Sequence, residues 1–136
     1  MVGIGPGSME DMSLRAHHAI DQADTIVGYD TYIDLIQDLL PGKKVIGTGM
    51  MQEIDRCQAA VDEAIAGKQV AVISSGDPGI YGMAGLVLEL AMKQPASSRP
   101  EVAIVPGISA VGASAAILGA PLMHDFAVIS LVLFGL

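Results

Sequence analysis

The chain has 136 residues, 51% hydrophobic and 16% charged, enough for one domain with a real core and too apolar for disorder. Its net charge of −8 argues against a nucleic-acid backbone as the main partner. Cys57 is the only cysteine, which excludes an intrachain disulfide framework or a cysteine-rich metal site and fits a reducing, cytoplasmic setting.

Residues 2–4 read as a strand stub. Ser13 caps a predicted helix running to about Gln22, with Leu14, Ala16, Ala19 and Ile20 apolar. A β-branched run at 25–27 predicts a second strand, ended by Gly28. The spacing of Ile33, Leu35, Ile36, Leu39 and Leu40 predicts a helix over 31–40, stopped by Pro41-Gly42. A third strand is expected at 44–46, then a Gly47-Thr48-Gly49-Met50 loop and a helix over 52–66 closed by Gly67. A fourth strand is expected at 69–73, a helix at 80–92, a polar linker at 95–100, a fifth strand at 101–105, a helix at 110–118 and a sixth strand at 126–131. Strands alternating with helices imply βαβ units: an α/β domain with a mainly parallel sheet and helices on both faces.

The charge-free stretch 102–123 invites a membrane reading, but Pro106-Gly107 divides it early and the rest is rich in Ala, Gly and Ser. A strand, a turn and a small-residue helix account for it better, and no membrane association is expected. The N-terminus carries glycines and acids where a signal peptide would be apolar. An edge strand at 126–136 would be apolar and prone to association.

Three glycine-proline turns follow predicted strands: Gly3-Ile4-Gly5-Pro6-Gly7, Ser75-Gly76-Asp77-Pro78-Gly79 and Val105-Pro106-Gly107-Ile108-Ser109. Turns of this kind present backbone to a ligand at the carboxyl end of a parallel sheet, so the three suggest one composite site. The first is not a dinucleotide fingerprint, because Ser8 stands where the third glycine would fall, and it also reads as a plain strand-to-helix turn. Asp77 reads either as a turn-forming Asp-Pro or as a carboxylate meeting ligand hydroxyl or amine groups. His17 and His18, adjacent on a helix, do not face the same way and make no metal pair. Cys57 reads as packing in an amphipathic helix. No catalytic base, nucleophile or metal site stands out.

The strings GIGPGS (3–8), VGYDTYIDLI (27–36), TGM (48–50), EIDRC (53–57), SSGDPGIYGMA (74–84) and VPGISA (105–110) occur in order. Together they resemble the tetrapyrrole methylases, and most closely the precorrin-3B (cobalt-precorrin-3) C17-methyltransferases of cobalamin biosynthesis. The resemblance implies two α/β domains with S-adenosylmethionine (SAM) in the cleft between them, usually in a homodimer. It covers residues 2–131 and reaches the first domain, with 1–123 as that domain and 124–136 as the start of the second. Carried over by motif, Gly5, Pro6 and Gly7 would line the cleft floor. Ser75, Gly76, Asp77, Ile80 and Tyr81 would contact SAM largely through backbone, and Ser109 and Ala110 would hold another part of it. Tyr29, Tyr32, Thr48, Gly49 and Met50 would face the tetrapyrrole.

Residues 132–136, Val-Leu-Phe-Gly-Leu, depart from the polar stretch usual in the family at this point. An interrupted or partial methyltransferase, inactive by itself, is one expectation. A noncatalytic half-domain that binds or dimerises through an uncovered surface is the rival. Another SAM-dependent methylase of the same superfamily is a third reading.

Overall fold

A computed structural model of the chain describes residues 1–129. Its sheet is built from β1 (Val2–Gly3), β2 (Thr25–Tyr29), β3 (Lys44–Thr48) and β4 (Val70–Ser74). All pairings are parallel, in the order β1-β4-β2-β3. Residues 101–105 run along the free side of β1, where Val105 forms a parallel bridge to Val2. Among the described residues the α-helices are α1 (Leu14–Asp21), α2 (Asp30–Asp34), α3 (Glu53–Ile65), α4 (Ala84–Met92) and α5 (Ala110–Ile117).

Alternation along the strands builds two cores. Ile26, Ala71 and Ile73 face one side and pack with Ala16 and Ile20 of α1. Val27 and Val72 face the other, against Cys57 and Ala60 of α3 and Val87 of α4. Both faces are thus covered, which is why the strands read as continuous apolar runs. Ser13 caps α1 as expected, its hydroxyl accepting from the Ala16 amide at 3.1 Å.

Expectations change in five places. β2 and β3 run on to Tyr29 and Thr48, past the ends expected at Gly28 and Gly47, because those two glycines pair with each other across the strands. The helix over 31–40 is split: α2 ends at Asp34, and a short 3₁₀ turn follows at Gln37–Leu39. Between them Ile36 leaves helical geometry (φ −122°, ψ 19°) and enters the α1-side core. The helix expected from residue 80 starts at Ala84, because Tyr81 takes φ +53°, which no right-handed helix accommodates. The fifth strand reduces to one bridge; two-residue β1 offers few partners, although Ala103 and Val105 still bond to Met1 and Gly3. Residues 126–129 form no strand, and the rest of the predicted sixth strand and apolar edge lies outside the described residues.

Among the described residues, no helix is long and apolar enough to cross a membrane.

Candidate functional site

The chain leaves β1 toward the β2–β3 side of the sheet and leaves β4 toward the opposite edge, where residues 101–105 lie. Adjacent strands whose connections part in this way mark a topological switch point, the place where open α/β sheets bind ligands. The three glycine-proline turns meet there. The Gly5 amide donates to the Gly76 carbonyl at 3.2 Å, and the Gly76 amide to the Gly5 carbonyl at 2.7 Å. Gly76 sits at φ +58°, a conformation that favours glycine. Gly107 approaches so closely that an added Cβ would collide with the Gly76 carbonyl.

Asp77 fastens the third turn to the second. One carboxylate oxygen accepts from the Gly79 amide at 2.8 Å and the other from the Gly107 amide at 3.1 Å. Both oxygens are engaged by loop backbone, so the carboxylate shapes the site as well as facing it.

A cleft of about 530 Å³ opens over these turns, within the range of small-molecule sites. Gly5 and Pro6 form part of its wall, with Ser75, Gly76 and Asp77 beside them. Ile80 and Tyr81 close one side, and Ser109 and Ala110 at the start of α5 close another. Gly7, exposed past the rim, does not line it. Val111, Ser114 and Ile117 of α5 also line the cleft, and sequence reasoning missed them. Their i, i+3 spacing along α5 is the signal that could have found them. Tyr81 sits at a strained positive φ, and its hydroxyl donates to the Val128 carbonyl at 3.1 Å.

The residues expected to face a second ligand gather beside the cleft, at the ends of β2 and β3. Tyr29 and Tyr32 pack edge to face, with centroids 5.3 Å apart and planes at 88°. Thr48 and Gly49 meet the side chain of Arg56 on α3, another residue that sequence reasoning left unassigned. Met50 is exposed, and Met51 after it takes φ +61°. The backbone outliers Tyr81 and Met51 thus fall in the loops after β4 and β3.

Cys57 is fully buried, and burial pushes its thiol up to about 11, which leaves no thiolate at neutral pH. His18 is exposed on α1 and His17 half-buried. No cluster of three potential metal ligands occurs among the described residues.

A parallel sheet covered on both faces, with a ligand-sized cleft at its switch point, defines a small-molecule-binding α/β module. The chain belongs to the tetrapyrrole (corrin/porphyrin) methylase family, whose model matches residues 1–135. It is 55% identical over 131 residues to a probable cobalt-factor III C(17)-methyltransferase of Salmonella typhimurium, covering 96% of this chain and 54% of that protein. The crystal structure of the methyltransferase CobJ superposes with TM-score 0.88 at 38% identity, covering 96% of this chain and 54% of that one. A uroporphyrin-III C-methyltransferase from Thermus thermophilus, complexed with S-adenyl homocysteine, superposes with TM-score 0.69 at 25% identity, covering 91% and 52% of the respective chains. The chain spans from about a quarter to about half the length of the curated relatives it matches.

Proposed function

We propose that this chain is the N-terminal half of a SAM-dependent methyltransferase of cobalamin biosynthesis. Its reaction is transfer of a methyl group to C17 of precorrin-3B or of its cobalt-containing counterpart, with ring contraction. The observation that carries the reading is the cleft itself: the residues matched by motif to a SAM site, Gly7 apart, line one cavity at the switch point. The lining suits the cofactor chemically. Ser75, Ser109 and Ser114 and the glycine turns line it, Ile80 and Ile117 supply apolar surface, and none of its lining residues is a lysine, arginine or histidine that would repel a sulfonium.

Ser75, Gly76, Asp77, Ile80 and Tyr81 would hold one side of SAM, and Ser109 and Ala110 the other. The cofactor, when bound, supplies an already activated methyl group. The task of the chain is therefore alignment, which in favourable cases removes roughly 7–11 kcal/mol of barrier. Loops and backbone suffice for that, in keeping with a cleft free of a catalytic triad. Tyr29, Tyr32, Thr48, Gly49 and Met50 present a partly aromatic surface to the tetrapyrrole. Residues 1–123 make the first domain and 124–136 begin the second. The exposed side of α5, where Ile117 is 85% and Leu118 77% accessible, belongs against that second half. The complete enzyme is a cytoplasmic homodimer.

The test is transfer of labelled methyl from SAM to cobalt-factor III. It is run with the 136-residue chain alone and with the same chain followed by the C-terminal half of the Salmonella relative. The reading expects C17-methylated product from the joined protein and none from the chain alone. Methylation at another position, or turnover by the short chain, would contradict it.

A further inference from the structure

Arg56 lies in the first turns of α3 and is only 3% exposed. Its Nε–H donates to the Thr48 hydroxyl at 2.6 Å and an Nη2–H to the Gly49 carbonyl at 2.9 Å, while Nη1 is directed at Met83 Sδ, 3.3 Å away. The guanidinium carbon stands 5.7 Å from the centroid of the Tyr29 ring, which in turn braces Tyr32. One side chain thus holds the ends of β2 and β3 and also Met83, the last residue of the loop whose earlier residues line the cleft.

The charge is not needed for pairing. Neither of the two ion pairs among the described residues includes Arg56, and its partners are a hydroxyl, a carbonyl, a thioether and a ring face. Burying a cation among neutral groups is costly, and an apolar side chain of similar volume would pack the helix at least as well. What an arginine supplies and an apolar side chain does not is a rigid fork aimed in three directions at once.

Building on the function proposed above, we infer that Arg56 is a positioning residue for the tetrapyrrole side of the site. It fixes the 48–50 loop and the Tyr29 ring against the 75–83 loop, and so sets where the macrocycle lies relative to the cofactor cleft. Its donors point into the protein, so it acts through these loops and not by touching the ligand.

The experiment compares the 136-residue chain with Arg56→Lys, Arg56→Gln and Thr48→Val. The last keeps the buried cation and removes one of its bonds. Methionine-methyl NMR reads the loops through Met50 and Met83, with Met12 in the α1-side core as the internal control. Each variant, joined to the C-terminal half of the Salmonella relative as in the test above, is also titrated with S-adenosylhomocysteine and with cobalt-factor III. In the Arg56 variants the Met83 signal should move toward that of solvent-exposed methionine, and the Met50 signal, exposed already, should narrow as its loop loosens, while Met12 stays. Affinity for cobalt-factor III should fall about tenfold or more, the size of one charge-assisted hydrogen bond, with S-adenosylhomocysteine affinity changed less than about twofold. Thr48→Val should show a smaller loss of the same kind.

An unmoved Met83 signal in Arg56→Lys would overturn the inference by itself. So would equal loss of both ligands, or unchanged cobalt-factor III affinity in Thr48→Val should the Arg56 variants not fold. No binding of cobalt-factor III by the unsubstituted joined protein would instead overturn the function proposed above, and the substrate side of this inference with it.

Discussion

The Asp77 carboxylate and the Gly107 amide, 30 residues apart in sequence, are joined at 3.1 Å across the floor of the cleft. With the Gly79 bond at 2.8 Å, that one side chain sets the shape of two of the three ligand-facing turns. Asp77→Ala removes both charge-assisted bonds and leaves two loop amides without partners. We expect a loss of about 1–3 kcal/mol in chemical denaturation and weaker S-adenosylhomocysteine binding by calorimetry. Asp77→Asn, which keeps one acceptor oxygen, should lose less of each. An alanine variant with wild-type affinity would show that the turns hold their shape without the carboxylate.

Substituting two glycines by alanine should move stability in opposite directions. At Gly107 an added methyl meets the Gly76 carbonyl and the backbone of Gly3, and backbone has no room to retreat. Gly107→Ala should cost about 2–3 kcal/mol, as overpacking does, and open the cleft. At Gly85, inside α4, a methyl meets nothing within 4 Å. Gly85→Ala should stabilise by roughly 0.5–1 kcal/mol through helix propensity. Thermal and urea denaturation of the pair checks the contrast, with wild type between the two.

Cys57 makes a prediction in alkali. Its thiol is raised from 9.0 to about 11 in the folded chain by burial. A raised folded value means that the unfolded chain gives up the proton first. The stabilising contribution is therefore complete below pH 9 and lost as pH climbs through 11. Denaturant midpoints should fall over that window, and Cys57→Ala should flatten the fall. At neutral pH the thiol should react with a disulfide reagent only as fast as the chain unfolds.

The exposed side of α5 should bind a hydrophobic dye. No residue of the helix is buried, and Ile117 and Leu118 stand open to solvent. The 136-residue chain should enhance the fluorescence of anilinonaphthalene sulfonate, and a double change Ile117→Ser/Leu118→Ser should cut it markedly. Unaltered fluorescence would place the dye elsewhere.

Much of the fold is legible in the sequence because it rests on local patterns. Apolar strand runs, the Ser13 cap and the glycine-proline turns each announce themselves within a few residues. The position of the three turns, each directly after a strand run, already points to one site. What escapes depends on distant partners. The break at Ile36 is driven by a core built from α1 and the sheet. The strain at Tyr81 arises where its loop coils back over Pro78, with the Ala84 amide donating to the Pro78 carbonyl at 3.1 Å. The double engagement of Asp77 needs Gly107, on another turn. Arg56 escapes because a charged residue on an amphipathic helix normally faces water. Yet it precedes Ala60 by one helical turn and adjoins Cys57, so the period of α3 sets it on the buried face.

The most direct test of the central claim is an amide NMR titration of the ¹⁵N-labelled chain with SAM. The account predicts shifts concentrated at Gly5, Ser75, Gly76, Ser109 and Ala110, with little change around His17 and His18 on α1. Shifts centred away from the three turns, or none at saturating cofactor, would contradict it.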